Sequence, residues 1–149
     1  MIKNKTLAAW LAFLGGPIGL HRFYLFGFSD WLGWVWAIPS AVGWYGVQRV
    51  QQFGVDDHWS WVLIPFLGMS IAASALNAIV YGLMDKERWN TRFNPTGPAQ
   101  ASAGQTRWLT ICAIVCALLI GTTSLMASLA FGFQRYFEYQ IEQARDISQ

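Results

Sequence analysis

Charge is scarce in this sequence. Asp, Glu, Lys and Arg make up 12% of its 149 residues while 54% are hydrophobic, where an ordinary soluble domain carries about 25% charge. The deficit is concentrated: residues 6–20, 31–48, 59–84 and 108–134 contain no Lys, Arg, Asp or Glu. Runs of that kind cannot build a water-facing surface. A net charge of +2 is too small to point to nucleic acid as a partner. Only two cysteines are present, Cys112 and Cys116, four apart on one helical face inside the last run, which suits packing better than a disulfide. The short motifs of catalysis are missing as well: there is no G-x-S-x-G elbow, no P-loop and no H-E-x-x-H pair. Asp56, Asp57 and His58 are consecutive, with no second His or Cys at a ligand spacing. No enzymatic activity, metal or other cofactor is expected. Lys3 and Lys5 precede an apolar stretch as in a secretion signal, but no small-x-small cleavage site follows.

What remains is apolar length. A membrane-crossing helix needs about 20 apolar residues, and the runs 59–84 and 108–134, about 40 Å each as helices, are long enough outright. The run 31–48, about 27 Å, crosses with some thinning of the bilayer. The run 6–20 reaches only about 22 Å and becomes a span by taking in residues 23–28, with His21 and Arg22 near its far end. The reading is an all-α, polytopic helical membrane protein, with an N-terminal helical hairpin over 1–50 and a third transmembrane helix with flanking loops over 51–89. A polar linker over 90–106 leads to a fourth transmembrane helix with a short amphipathic tail over 107–149. Gly15, Gly16 and Pro17 predict a bend in the first helix, and Pro39, Gly43 and Gly46 one in the second. Under this topology the basic residues divide evenly between the two sides. If the first segment did not cross, they would divide seven to three, a cleaner match to the excess of Lys and Arg on cytoplasmic loops.

The third and fourth helices carry small side chains at four-residue intervals: Ser70, Ser74, Ala78 and Gly82 in one, Ala113, Ala117 and Gly121 in the other. Small residues let helices approach closely, and in lipid that packing drives association. Asn77, the one strongly polar group deep in a long span, is expected to bond across to a neighbouring helix. Arg22 cannot stay unpaired near the apolar region, and Asp30, eight residues on, is a suitable partner. In the same turn His21 can bond a carbonyl or carboxylate, while Phe23 and Tyr24 anchor the chain at the headgroup level.

These residues also carry a resemblance. Lys3 and Lys5, the stretch A8-A-W-L-A-F-L-G-G-P-I-G-L20, the turn H21-R-F-Y-L-F-G27, Gly33 and the helix through Gly46 resemble the bacterial TM-two domain family, small membrane proteins sharing a pair of helices joined by an H-R-F-Y-L-G type connection. His21, Arg22, Phe23 and Tyr24 match the signature position by position, over about one third of the chain. Two departures stand out: Phe26 separates Leu25 from Gly27, and the second helix ends in Q48-R-V-Q-Q-F-G54 instead of an aromatic, apolar and acidic ending. The resemblance implies a two-helix membrane module and does not carry over the signalling roles of animal members.

The expected function is a non-enzymatic integral membrane protein, a scaffold or accessory subunit acting through helix packing in a bacterial inner membrane. Its partners would be membrane lipids and a second copy or another membrane protein. The alternative is a subunit of a small oligomeric transporter or channel. Least expected is a lipid-modifying enzyme with His21 as base and Arg22, beside Asp30, holding phosphate.

Overall fold

The computed structural model describes residues 2–97 and 102–147. Among them the secondary structure is entirely helical: α1 (Lys5–Gly15), α2 (Leu20–Phe26), α3 (Trp31–Phe53), α4 (His58–Leu83), α5 (Lys86–Phe93) and α6 (Trp108–Ile147), with 3-10 turns at Gly16–Ile18 and Ser102–Gly104. Local chemistry sets the helix starts. The Asn4 side chain accepts from the N–H groups of Thr6 and Leu7 to cap α1, and Asp57 accepts from Ser60 N–H to cap α4. Residues 98–101, within the expected polar linker, lie outside the described residues.

The first apolar segment departs from expectation. Instead of one membrane-length helix it forms α1, of 11 residues, and α2, of 7, folded back on each other. Lys3 Nζ donates to the Leu25 carbonyl and Asn4 N–H to Tyr24 Oη at 2.8 Å, so the start of α1 lies beside the end of α2. The cause is local. Pro17 has no N–H to continue the α1 ladder. Gly19 then takes a left-handed conformation (φ +82°) that reverses the chain. The reversal sits beside Ser74, about 14 Å along α4 from its Leu83 end, so this hairpin enters the bundle from one end and returns to it. The four membrane-length helices expected are therefore not present among the described residues: α1 extends only about 16 Å.

α4 is the central helix. On one side α3 packs antiparallel to it, with Gly43 against Leu67 and Gly46 against Leu63, close enough that any side chain there would overlap α4. On another side α6 runs antiparallel through small residues seven apart. Gly82 faces Ile114, Ala75 faces Gly121, and Gly68 faces Ser128, the spacing of a left-handed helix pair. The α1–α2 hairpin occupies the upper part of the bundle, with α1 against α4 and α6 and α2 against α3. Pro39 and Pro65 lie inside α3 and α4 without breaking either helix. α3 runs to Phe53, beyond the expected boundary at residue 50. The residues beyond the last apolar run continue α6 without a break, for a total of 40 residues.

Among the described residues, α4 and α6 alone combine the length and hydropathy of membrane-crossing helices, and just 28% and 22% of their most apolar stretches are buried. The two ends of the bundle differ in charge. Lys3, Lys5, Arg22, Lys86, Arg88, Arg92 and Arg107 share the hairpin end with Asp30, Asp85 and Glu87, a formal +4. At the other end Arg49, Arg135 and Arg145 face Asp56, Asp57, Glu138, Glu142 and Asp146, a formal −2.

Candidate functional site

The hairpin tip brings polar groups into the middle of the bundle. Ser40 Oγ, on α3, donates to the Pro17 carbonyl at 2.6 Å and lies 2.8 Å from Ser70 Oγ on α4. Trp36 Nε1 donates to Ser74 Oγ at 3.2 Å. Gly16 lies so close to Ser74 that a methyl group would overlap it. The Pro17 carbonyl of the irregular turn is thus satisfied by a side chain of α3, which is the condition for such backbone away from water.

The four signature residues divide between this interior and the surface. The His21 ring is buried, 5.7 Å from Trp36 and 6.0 Å from Tyr81 by ring centroids, and its Nδ1 has no hydrogen-bond partner. Arg22 turns the other way: its Nε donates to Asp30 Oδ2 at 2.7 Å, and its guanidinium lies 5.1 Å over the Phe26 ring. That guanidinium holds the Asp30 carboxyl below its ordinary pKa. Phe23 packs against Gly33, Phe28 and Trp34, and Tyr24 Oη accepts from the backbone of Asn4. His21 is therefore sealed among aromatic rings while Arg22 and Asp30 face each other near the surface, so the three do not converge as a base and a phosphate holder would.

The same Arg and Asp device recurs at the opposite end. Arg49 donates to both oxygens of Asp57, again eight residues on, at 2.8 Å each. Both aspartates stand at the N-cap of the following helix, where a carboxylate also meets the positive end of the helix dipole.

Ser70, Ser74, Ala78 and Gly82 are all buried, as are Ala113, Ala117 and Gly121. The first four do not serve one neighbour. A four-residue step advances about 40° around a helix, and the stripe passes from Ser40 of α3, at Ser70, through the hairpin tip, at Ser74, to Ile114 of α6, at Gly82. Asn77 corrects the expectation of an interhelical bond: its Nδ2 donates to the Ala73 carbonyl, one turn back in its own helix, at 3.0 Å. That local acceptor satisfies the amide without a partner helix.

Sequence reasoning missed three groups. Ser40 and Trp36 give no sign of their role until the tip is placed against them. Lys5, fully buried, donates from Nζ to the Met84 carbonyl at 2.7 Å and to Thr106 Oγ1 at 2.6 Å, capping the C-terminus of α4. The backbone of Lys3 is clamped by Asn94, with bonds of 2.7 and 3.0 Å, and by Trp89 Nε1 at 2.9 Å, which ties the hairpin to α5. The seam of Gly68, Ala75 and Gly82 was legible as a seven-residue spacing beside the four-residue one.

No protein-family model matches the chain, and neither a curated protein nor a solved structure matches it.

Proposed function

We propose that the chain is an integral membrane protein in which α3, α4 and α6 cross the bilayer and the α1–α2 hairpin enters and leaves by one face. The observation that carries this reading is the inversion of the usual order of side chains. Apart from Leu25, Tyr81, Trp89 and Phe93, the buried residues are small or polar, while large apolar ones such as Leu76, Val80, Leu118, Leu119, Ile120 and Met126 are exposed. A soluble protein exposing that much contiguous apolar surface would aggregate; in lipid it is the solvated face. With the hairpin returning to its own face, the basic residues divide seven to three, and this favours a cytoplasmic hairpin end. A bacterial inner membrane is the compartment that fits.

The biochemical role that fits best is a non-enzymatic scaffold or accessory subunit that works by packing its helices against another membrane protein or a second copy. The polar atoms at the hairpin tip are largely spent on each other and on freed backbone carbonyls, which favours a packing role over a solute path. The likeness of residues 3–50 to the TM-two family agrees with a membrane module, although the folded-back hairpin differs from two crossing helices.

The test is topological. Cysteines introduced at Glu87 and Glu142 are labelled in intact cells and in inverted vesicles with a membrane-impermeant maleimide. Cys112 and Cys116 are replaced by serine beforehand. Opposite labelling at the two sites, with a fusion reporter at the N-terminus on the Glu87 side, supports three crossings. A reporter placing the N-terminus with Glu142 would restore four crossings and end this reading. For the packing role, in-cell cross-linking and mass spectrometry should recover a stable homo- or hetero-complex, and recovery of the monomer alone would discard it.

A further inference from the structure

At the end of the bundle away from the hairpin, a cavity of about 260 Å³ opens between the start of α4 and the distal part of α6. Its walls are aromatic and held in place. The His58 ring packs edge-on to Trp61 at 4.4 Å and to Tyr139 at 4.5 Å. Trp61 Nε1 donates to the Val55 carbonyl at 2.8 Å, and Tyr139 Oη accepts from Gln143 Nε2 at 2.6 Å. The remaining lining is charged: Asp56, Glu138 and Glu142 with Arg135. Arg135 bonds Glu138 at 3.0 Å and lies 4.0 Å from Asp56. Within the lining itself, three carboxylates against Arg135 leave a formal charge of −2 with His58 neutral.

Carboxylates and aromatic faces both attract cations, and their combination suits an organic ammonium better than a metal ion. Among the described residues no three His, Cys, Asp or Glu side chains are grouped to hold a metal. An ammonium attached to carbon can use ring faces on one side and carboxylates on the other. We propose that this cavity binds the ammonium group of an ethanolamine- or choline-type compound, with the rings of Trp61 and Tyr139 in its wall and Glu138 and Glu142 supplying the counter-charge. The ammonium has two sources, a free amine or a phospholipid headgroup. Only the second rests on the membrane reading, which would set this cavity at headgroup level.

The test follows the Trp61 indole N–H by two-dimensional NMR in an uncharged detergent. Choline chloride and ethanolamine hydrochloride are titrated against sodium chloride at matched ionic strength. A second arm compares nanodiscs of phosphatidylglycerol alone with discs that also contain phosphatidylethanolamine. A saturable shift with the amines and none with sodium supports the site. It should weaken by about fivefold or more in Glu142→Gln and in Tyr139→Leu, and persist in Tyr139→Phe. A saturable response confined to the phosphatidylethanolamine discs identifies the headgroup as the source. Binding of free amines by a protein that does not enter discs keeps the site and rejects the membrane reading. An equal response to sodium, or no saturable response in either arm, overturns the proposal.

Discussion

Of the two stretches in the first 50 residues that combine proline with glycine, only one breaks. In the segment from Gly15 to Gly19 the helix ends, turns through a left-handed glycine and reverses. Around Pro39, Gly43 and Gly46 the 23 residues of α3 run on as one helix. The proline has the same chemistry in both places, so the difference lies in what the glycines are for. Gly19 supplies a backbone conformation that other residues adopt at a cost, against a Gly33 carbonyl that leaves no room for a side chain. Gly43 and Gly46 keep ordinary helical geometry and supply a flat surface that lets α4 approach. One use of glycine reverses the chain, and the other brings two helices of it together.

Substitutions can separate the two uses. Gly19→Ala should do most harm, since it adds left-handed strain to a steric overlap, lowering stability by about 3 kcal/mol. Thermal unfolding in a mild detergent is the measurement, and a variant as stable as the parent would mean that the reversal does not exist. Gly43→Ala should cost about 2 kcal/mol, an overlap penalty partly offset by the better helix propensity of alanine. Its signature is a weaker α3–α4 contact, read as faster amide hydrogen exchange along α3 with the hairpin undisturbed. Gly27→Ala isolates conformation from crowding. Gly27 has φ +88° and no atom within 4 Å of where the alanine methyl would sit, so strain alone should cost about 1–2 kcal/mol. A loss as large as that of Gly19→Ala would show that crowding matters little at either site.

The smallest effect concerns pH. Arg49 and Ser60 hold the Asp57 carboxyl well below the usual carboxylate range, and Arg22 lowers that of Asp30. A carboxylate whose folded pKa is depressed contributes stability that is complete above its unfolded pKa of about 4 and is lost as pH falls toward the folded value. Thermal stability should therefore be flat from about pH 7 to 5 and decline below about 4. Asp57→Asn should lower the plateau and flatten part of the decline. An unchanged slope in that variant would assign the acid sensitivity to other groups.

The two long apolar helices and the Arg22–Asp30 pair were legible because they depend on local runs and nearby residues. The small side chains of α4 were legible as a stripe, but not their neighbours, because a four-residue repeat drifts around the helix and meets different elements in turn. The return of the first segment was hidden for another reason. His21 and Arg22 in residues 20–26 read equally well as the interfacial end of a span, and the partners that favour reversal, Ser40, Ser70 and Met84, lie far along the chain from the groups they hold. The signal that did register it was global: the distribution of Lys and Arg, which is even with four crossings and uneven with three. Asn77 shows the opposite error, since a polar residue in an apolar helix invites a distant partner when the carbonyl four residues back is nearer.

The hairpin also binds distant parts of the chain into one unit. Residues 5–26 are held by groups spread over the next eighty or so residues: Ser40 for the tip, Ser74 beneath it, Met84 and Thr106 for Lys5, and Thr110 for Thr6. Its seat is thus shared among α3, α4, α6 and the segment before α6, and it is complete only where all of them meet.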